Sequence, residues 1–118
     1  MSNPQEIEIP ADVYIIVNQN IYPIKKSVTT IGRKIDNDVV IQDDYISRNH
    51  AEIRFENGKF FLLDKNSSGG TFVNTTKIDK SALISGDLVL LANVPFIFID
   101  EGEKLRKSSE VTTGKLKN

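Results

Sequence analysis

Three polar stretches of this 118-residue chain hold the side chains best suited to chemistry or ligand binding: Ile31-Gly32-Arg33, Ser47-Arg48-Asn49-His50 and Asp64 to Thr71. Arg33 offers a planar guanidinium fork. Ser47, Ser67, Ser68 and Thr71 offer hydroxyls, and loop N–H groups complete an anion cage. Gly69-Gly70 lets the backbone come close to a bound group. A phosphate ester suits this set. The competing chemistry is nucleophilic, since Ser47 and His50 are three residues apart. No G-x-S-x-G elbow surrounds Ser47, and no third group stands ready to orient the imidazole. The pair reads as structural, and no catalytic residue or enzyme activity is expected. One His and no Cys leave no basis for a metal site. No Gly-rich run ends in Gly-Lys-Ser/Thr, so a P-loop is excluded. No cofactor is implied.

The segments that must position these side chains read as short strands. They are Val13–Val17, Ile21–Ile24, Ser27–Gly32, Asp38–Ile41, Ala51–Glu56, Lys59–Asp64, Thr71–Asn74, Asp87–Ala92 and Pro95–Asp100. Pro23 places the second at a sheet edge. Ala51 to Glu56 alternates apolar and charged residues, the pattern of a half-buried strand. Asn57-Gly58 follows it, the strongest short hairpin signal. Nine strands with turns every 8–12 residues, and no sustained helical period, predict a β-sandwich or barrel. In a sandwich the connecting loops gather at the two ends, where the polar stretches fall.

Charge and composition exclude several classes. Lys plus Arg total 15 against 16 for Asp plus Glu, a net charge of −1. Nucleic-acid binders usually carry a basic excess, so nucleic acid is not an expected partner. No apolar run approaches the ~18 residues of a membrane span, and no membrane association is expected. Met1 to Asp12 is polar with two prolines, unlike a signal peptide. A cytoplasmic domain is expected, with residues 1–11 flexible, 12–100 folded and 101–118 a disordered tail. The tail has three acidic residues against five basic ones and few apolar side chains.

Taken in order, "IGR" at 31–33, "SRNHAEI" at 47–53 and "DKNSSGGTFVN" at 64–74 resemble the forkhead-associated (FHA) domain. The resemblance covers Val13 to Asp100. It implies an all-β, two-sheet antiparallel sandwich of about eleven strands and a non-enzymatic module that binds phosphothreonine peptides made by a Ser/Thr protein kinase. Carried over by motif, Arg33 would pair with the phosphate, and Ser47 and Ser68 would hydrogen-bond its oxygens. Arg48 would hold the peptide backbone. Gly32, His50 and Asn74 would shape loops.

One position departs from the family pattern. The family reads Asn-Gly-Thr where this chain has Gly69-Gly70-Thr71. The absent Asn normally grips the peptide main chain, and its loss removes about 1–3 kcal/mol of hydrogen bonding. Arg48, Asn66 or Asn74 could substitute, and Gly69→Asn is expected to tighten phosphopeptide binding. A smaller departure is Thr75-Thr76, where an Asn-Gly turn often follows the valine. Two alternatives arise: a divergent scaffold for an unphosphorylated protein partner, and self-regulation by a tail phosphorylated at Thr112 or Thr113.

Overall fold

The computed structural model describes residues 8–103, 105 and 106. Eleven strands run from Val13 to Asp100: β1 (Val13–Val17), β2 (Asn20–Pro23), β3 (Val28–Gly32), β4 (Val39–Val40), β5 (Ala51–Glu56), β6 (Lys59–Asp64), β7 (Thr71–Val73), β8 (Thr76–Lys77), β9 (Lys80–Leu83), β10 (Leu88–Leu91) and β11 (Val94–Asp100). They form a six-stranded sheet, β2-β1-β11-β10-β7-β8, and a five-stranded sheet, β4-β3-β5-β6-β9. All strand pairs with an assigned register are antiparallel except β3 and β4, which run parallel. The fold is the two-sheet sandwich that the family resemblance implies, one of the two architectures that the turn spacing allows.

Two strands lie beyond the nine read from the sequence. β8 is two exposed residues, Thr76 and Lys77, and β9 is Lys-Ser-Ala-Leu at a sheet edge. Neither carries the β-branched or aromatic density that marks a strand; pairing with neighbours makes them extended. Pro23 does end an edge strand. Asn57 and Gly58 take φ of 51° and 78°, so both hairpin positions are left-handed.

The core lies between the sheets. Ile15, Val89, Leu91, Phe96 and Phe98 face Ile31, Ile53, Phe60 and Leu62. The Phe60 ring meets Phe98 across the gap at 5.4 Å between centroids. Each such side chain contributes about 1.5–3 kcal/mol on burial.

The two outer faces differ. On the five-stranded sheet, Glu52, Arg54 and Glu56 point outward, and Arg54 pairs with Glu52 at 2.8 Å. Lys65 and Lys80 extend the network to Glu52 and Glu56. On the six-stranded sheet, cross-strand register lines up Ile21, Ile16, Ile97 and Leu88 across four strands. Pro23, Tyr14 and Ile99 form a row on one side of them, and Pro95, Leu90 and Phe72 a row on the other.

Candidate functional site

Three loops and one turn meet at one end of the sandwich: residues 33–38, 41–50 and 65–70, with Ala92-Asn93 between β10 and β11. Backbone hydrogen bonds join them. Arg33 N–H donates to the Ser47 carbonyl at 3.0 Å, Lys34 N–H to Arg48 at 3.2 Å, and Ala92 N–H to Gly70 at 2.8 Å. Gly32 allows the first crossing. A Cβ there would lie 2.1 Å from the Arg48 carbonyl oxygen, so only glycine fits. Asn37, largely buried, donates its amide to the carbonyls of Lys34 and Arg48, both at 2.8 Å. This side chain sews the 33–38 loop to the Ser47 loop.

His50 is fully buried and holds the second crossing. Ser47 N–H donates to Nδ1 at 3.0 Å, so the imidazole proton sits on Nε2 and donates to the Gly70 carbonyl at 3.0 Å. One neutral ring therefore fixes the Ser47 backbone against the 65–70 loop. Both ring nitrogens are occupied, and Nδ1 points at the Ser47 amide rather than its hydroxyl. Ser47 has no general base in this arrangement.

Asp64 organises the third loop. Its carboxylate accepts from Ser67 Oγ at 2.5 Å, Ser67 N–H at 3.1 Å and Thr71 Oγ1 at 2.7 Å. Burial disfavours the charge, but these donors outweigh it and hold the carboxyl below the usual carboxylate range. Ser67 Oγ also accepts from Gly70 N–H at 3.0 Å. Gly70 has φ of +84°, which glycine alone adopts without strain. The folded loop brings Ser68 to Ser47: the two Oγ atoms are 3.3 Å apart, and Ser68 N–H donates to Ser47 Oγ at 3.1 Å.

Arg33 sits on the same rim. Its Nε donates to the Ile46 carbonyl at 3.0 Å, next to Ser47. Its terminal nitrogens have no hydrogen bond, and no carboxylate pairs with it among the described residues. Arg48, exposed on the Ser47 loop, is likewise without an acidic partner there. Arg54 and Arg106, by contrast, each pair with a carboxylate. The rim thus holds two uncompensated guanidiniums beside two converging hydroxyls, an arrangement that attracts a compact dianion.

Arg33, Ser47, Arg48, Ser68 and Gly69 all belong to these joined loops. Asn74 does not. It lies at the far end of β7, where its amide donates to Asp87 at 2.8 Å and its Oδ1 accepts from Leu88 N–H at 3.0 Å. It shapes the β7–β8 turn and cannot replace the missing Asn. Gly69 is packed: a Cβ there would lie 2.5 Å from the Cβ of Ala92. The expectation that Gly69→Asn alone tightens binding therefore needs correction, because Ala92 must yield first. Asn37, Asp64 and Ala92 are contributors that the sequence did not single out. The Asp-x-x-Ser spacing of Asp64 and Ser67 was the one available signal, since Asp favours such local side-chain-to-backbone turns. Thr112 and Thr113 lie outside the described residues.

Comparison with known proteins places this geometry. The FHA domain family model matches residues 29–92, more than half the chain. The glycogen accumulation regulator GarA of Mycobacterium tuberculosis is 36% identical over 76 residues, covering 64% of this chain and 47% of GarA. The chain spans about half the length of the curated relatives it matches. Among solved structures, Mycobacterium tuberculosis EmbR in complex with a low-affinity phosphopeptide superposes with a TM-score of 0.71 at 30% identity, covering 74% of this chain and 24% of that one. The FhaA FHA domain, complexed with the intracellular domain of Rv3910, gives 0.70 at 29% identity, covering 74% of this chain and 99% of that one. By its matched family model, its sandwich topology and its loop end, this chain belongs to the FHA domain family.

Proposed function

We propose that this domain binds phosphothreonine in a protein partner, in the cytoplasm, downstream of a Ser/Thr protein kinase, and that it performs no chemistry of its own. The observation that carries the reading is the convergence of Ser47 and Ser68 Oγ, 3.3 Å apart, beside an Arg33 guanidinium with no acidic partner among the described residues. A phosphate placed there receives two hydroxyl donors and a charge-assisted contact, each worth about 1–3 kcal/mol. Arg48 holds the peptide backbone on the same loop. His50 and Gly32 keep the loops in register, and Gly69 lines the approach. The phosphopeptide seated on EmbR supports the ligand class.

Gly69 favours a second reading, a scaffold for an unphosphorylated partner, because Ala92 fills the space beside it. One experiment separates the two. The domain is used to capture partners from a lysate, with half the lysate treated with phosphatase. Capture that depends on phosphate supports recognition of phosphothreonine. Capture that survives dephosphorylation supports the scaffold.

A further inference from the structure

The six-stranded sheet is apolar on both sides. An antiparallel sheet with one solvated face alternates apolar inward and polar outward residues, as β5 does. β1, β10 and β11 do not: the positions between their core residues are Tyr14 and Ile16, Leu88 and Leu90, and Pro95, Ile97 and Ile99. The central row, Ile21–Ile16–Ile97–Leu88, has no polar member, and Ile21, Leu88 and Ile97 are 63%, 44% and 39% exposed. The two flanking rows add no charge. Charge begins at the borders, with Lys77 paired to Phe72 at the β8 edge and Asp12 and Lys25 beside Tyr14, Ile21 and Pro23 at the β2 edge.

We propose that this face is a homodimer interface, with a second copy of the chain packed on it sheet to sheet. Three observations favour a second copy. The first is area. The ten positions of the three rows, each ~4.8 Å by ~7 Å, give a flat patch of ~340 Å². Soluble monomers rarely leave more than a few hundred Å² of continuous apolar surface open. Two such patches together cover ~670 Å² of flat area, the scale of a small, weak interface.

The second is charge. A patch without charge offers nothing to steer or select a charged partner, but it complements itself under a two-fold axis. The third is shape. A twisted sheet packs on its own copy at roughly −30° and ~10 Å, the geometry that already builds this sandwich. A groove of about 550 Å³ beside Tyr14, Ile21 and Pro23, walled by Ile9 and Pro10 and by the charged Asp12 and Lys25, borders the face at its β2 edge. The Arg33–Ser47–Ser68 rim lies on end loops, so the dimer carries two open sites. A partner phosphorylated at two positions then gains affinity from the tether alone.

The test is sedimentation equilibrium of the chain from about 1 μM to about 1 mM, spanning the affinities expected of a small interface. The expected mass rises from the 13.2 kDa of one chain to twice that value. Ile21→Lys and Leu88→Lys change residues already exposed, so each should fold as wild type by circular dichroism. Each should raise the dimer dissociation constant at least tenfold, whereas Lys59→Glu on the opposite sheet leaves it unchanged. A wild-type mass of one chain throughout overturns the proposal, whether the face is then bare or taken by another protein. Wild-type dimerisation by both lysine variants overturns it as well. Phosphopeptide affinity of the same variants is a separate readout, so failure of the dimer leaves the rim's function independently measured.

Discussion

The loop rim and the outer face of the six-stranded sheet are built by opposite means. At the rim, polar groups hold one another. His50 ties Ser47 to Gly70, Asn37 ties Lys34 to Arg48, and Asp64 ties Ser67 to Thr71. The result is a fixed set of donors beside two guanidiniums, Arg33 and Arg48, that have no acidic partner among the described residues. On the sheet face, strand register alone aligns Ile21, Ile16, Ile97 and Leu88, whose aliphatic side chains carry no hydrogen-bonding group. The rim is thus equipped to discriminate by geometry and charge, and the face to adhere by area. A hydrogen-bonded rim fails when one partner is deleted. An apolar face fails when a charge is placed on it.

Deleting the deepest tie should break the rim most severely. His50→Ala leaves Ser47 N–H without its partner and opens a cavity in the core. About 2–4 kcal/mol of stability should be lost in urea unfolding. Phosphopeptide affinity should fall with it, unlike the effect of a lysine on the sheet face. Next comes Gly69. Gly69→Asn alone should weaken phosphopeptide binding several-fold, because its Cβ displaces Ala92. Adding Ala92→Gly should recover the loss and exceed wild type by about 1 kcal/mol, since the Asn amide can then reach the peptide. Ala92 already holds a φ of 54°, which glycine adopts freely. Calorimetric titration of Gly69→Asn, Ala92→Gly and the double variant tests the coupling, and additive effects would disprove it.

Acid should act on the rim before the sheet face. The Asp64 carboxyl is held below its ordinary range by Ser67 and Thr71 against the opposing effect of burial. Its contribution is thus fully present above about pH 4 and is lost as pH falls through its lowered folded value. Amide exchange at residues 65–70 should rise in that window, and in Asp64→Asn it should be raised already at neutral pH. The smallest effect sharpens the comparison from outside both regions. Thr75 is β-branched at φ of 74°, in a turn that favours Asn-Gly. Thr75→Gly should raise stability by about 0.5–1 kcal/mol in urea unfolding and leave both peptide binding and mass unchanged.

Local pattern carried much of the fold. Alternation in Ala51–Glu56, the Asn57-Gly58 hairpin and Pro23 at an edge are each decided within a few residues. β8 and β9 were not legible, because Thr76-Lys77 and Lys80–Leu83 become strands through pairing rather than propensity. At the rim, Arg33, Ser47 and Ser68 could be named from motif types and order. Asn37 and Ala92 could not, since their roles rest on contacts with Arg48 and Gly69 that only the folded chain creates. The apolar sheet face was hidden for the same reason. Val13–Val17 and Pro95–Asp100 read as ordinary strands until register shows that their outward residues meet.

Calorimetric titration of wild type and Arg33→Ala with a phosphothreonine peptide selected from a degenerate library, and with its dephosphorylated form, bears most directly on the rim. Wild type should bind the phosphorylated peptide alone. Arg33→Ala should weaken that binding at least about tenfold, or ~1.4 kcal/mol, with unchanged stability. Equal affinity of wild type for both peptides, or of both proteins for the phosphorylated one, would contradict a phosphate held between Arg33, Ser47 and Ser68.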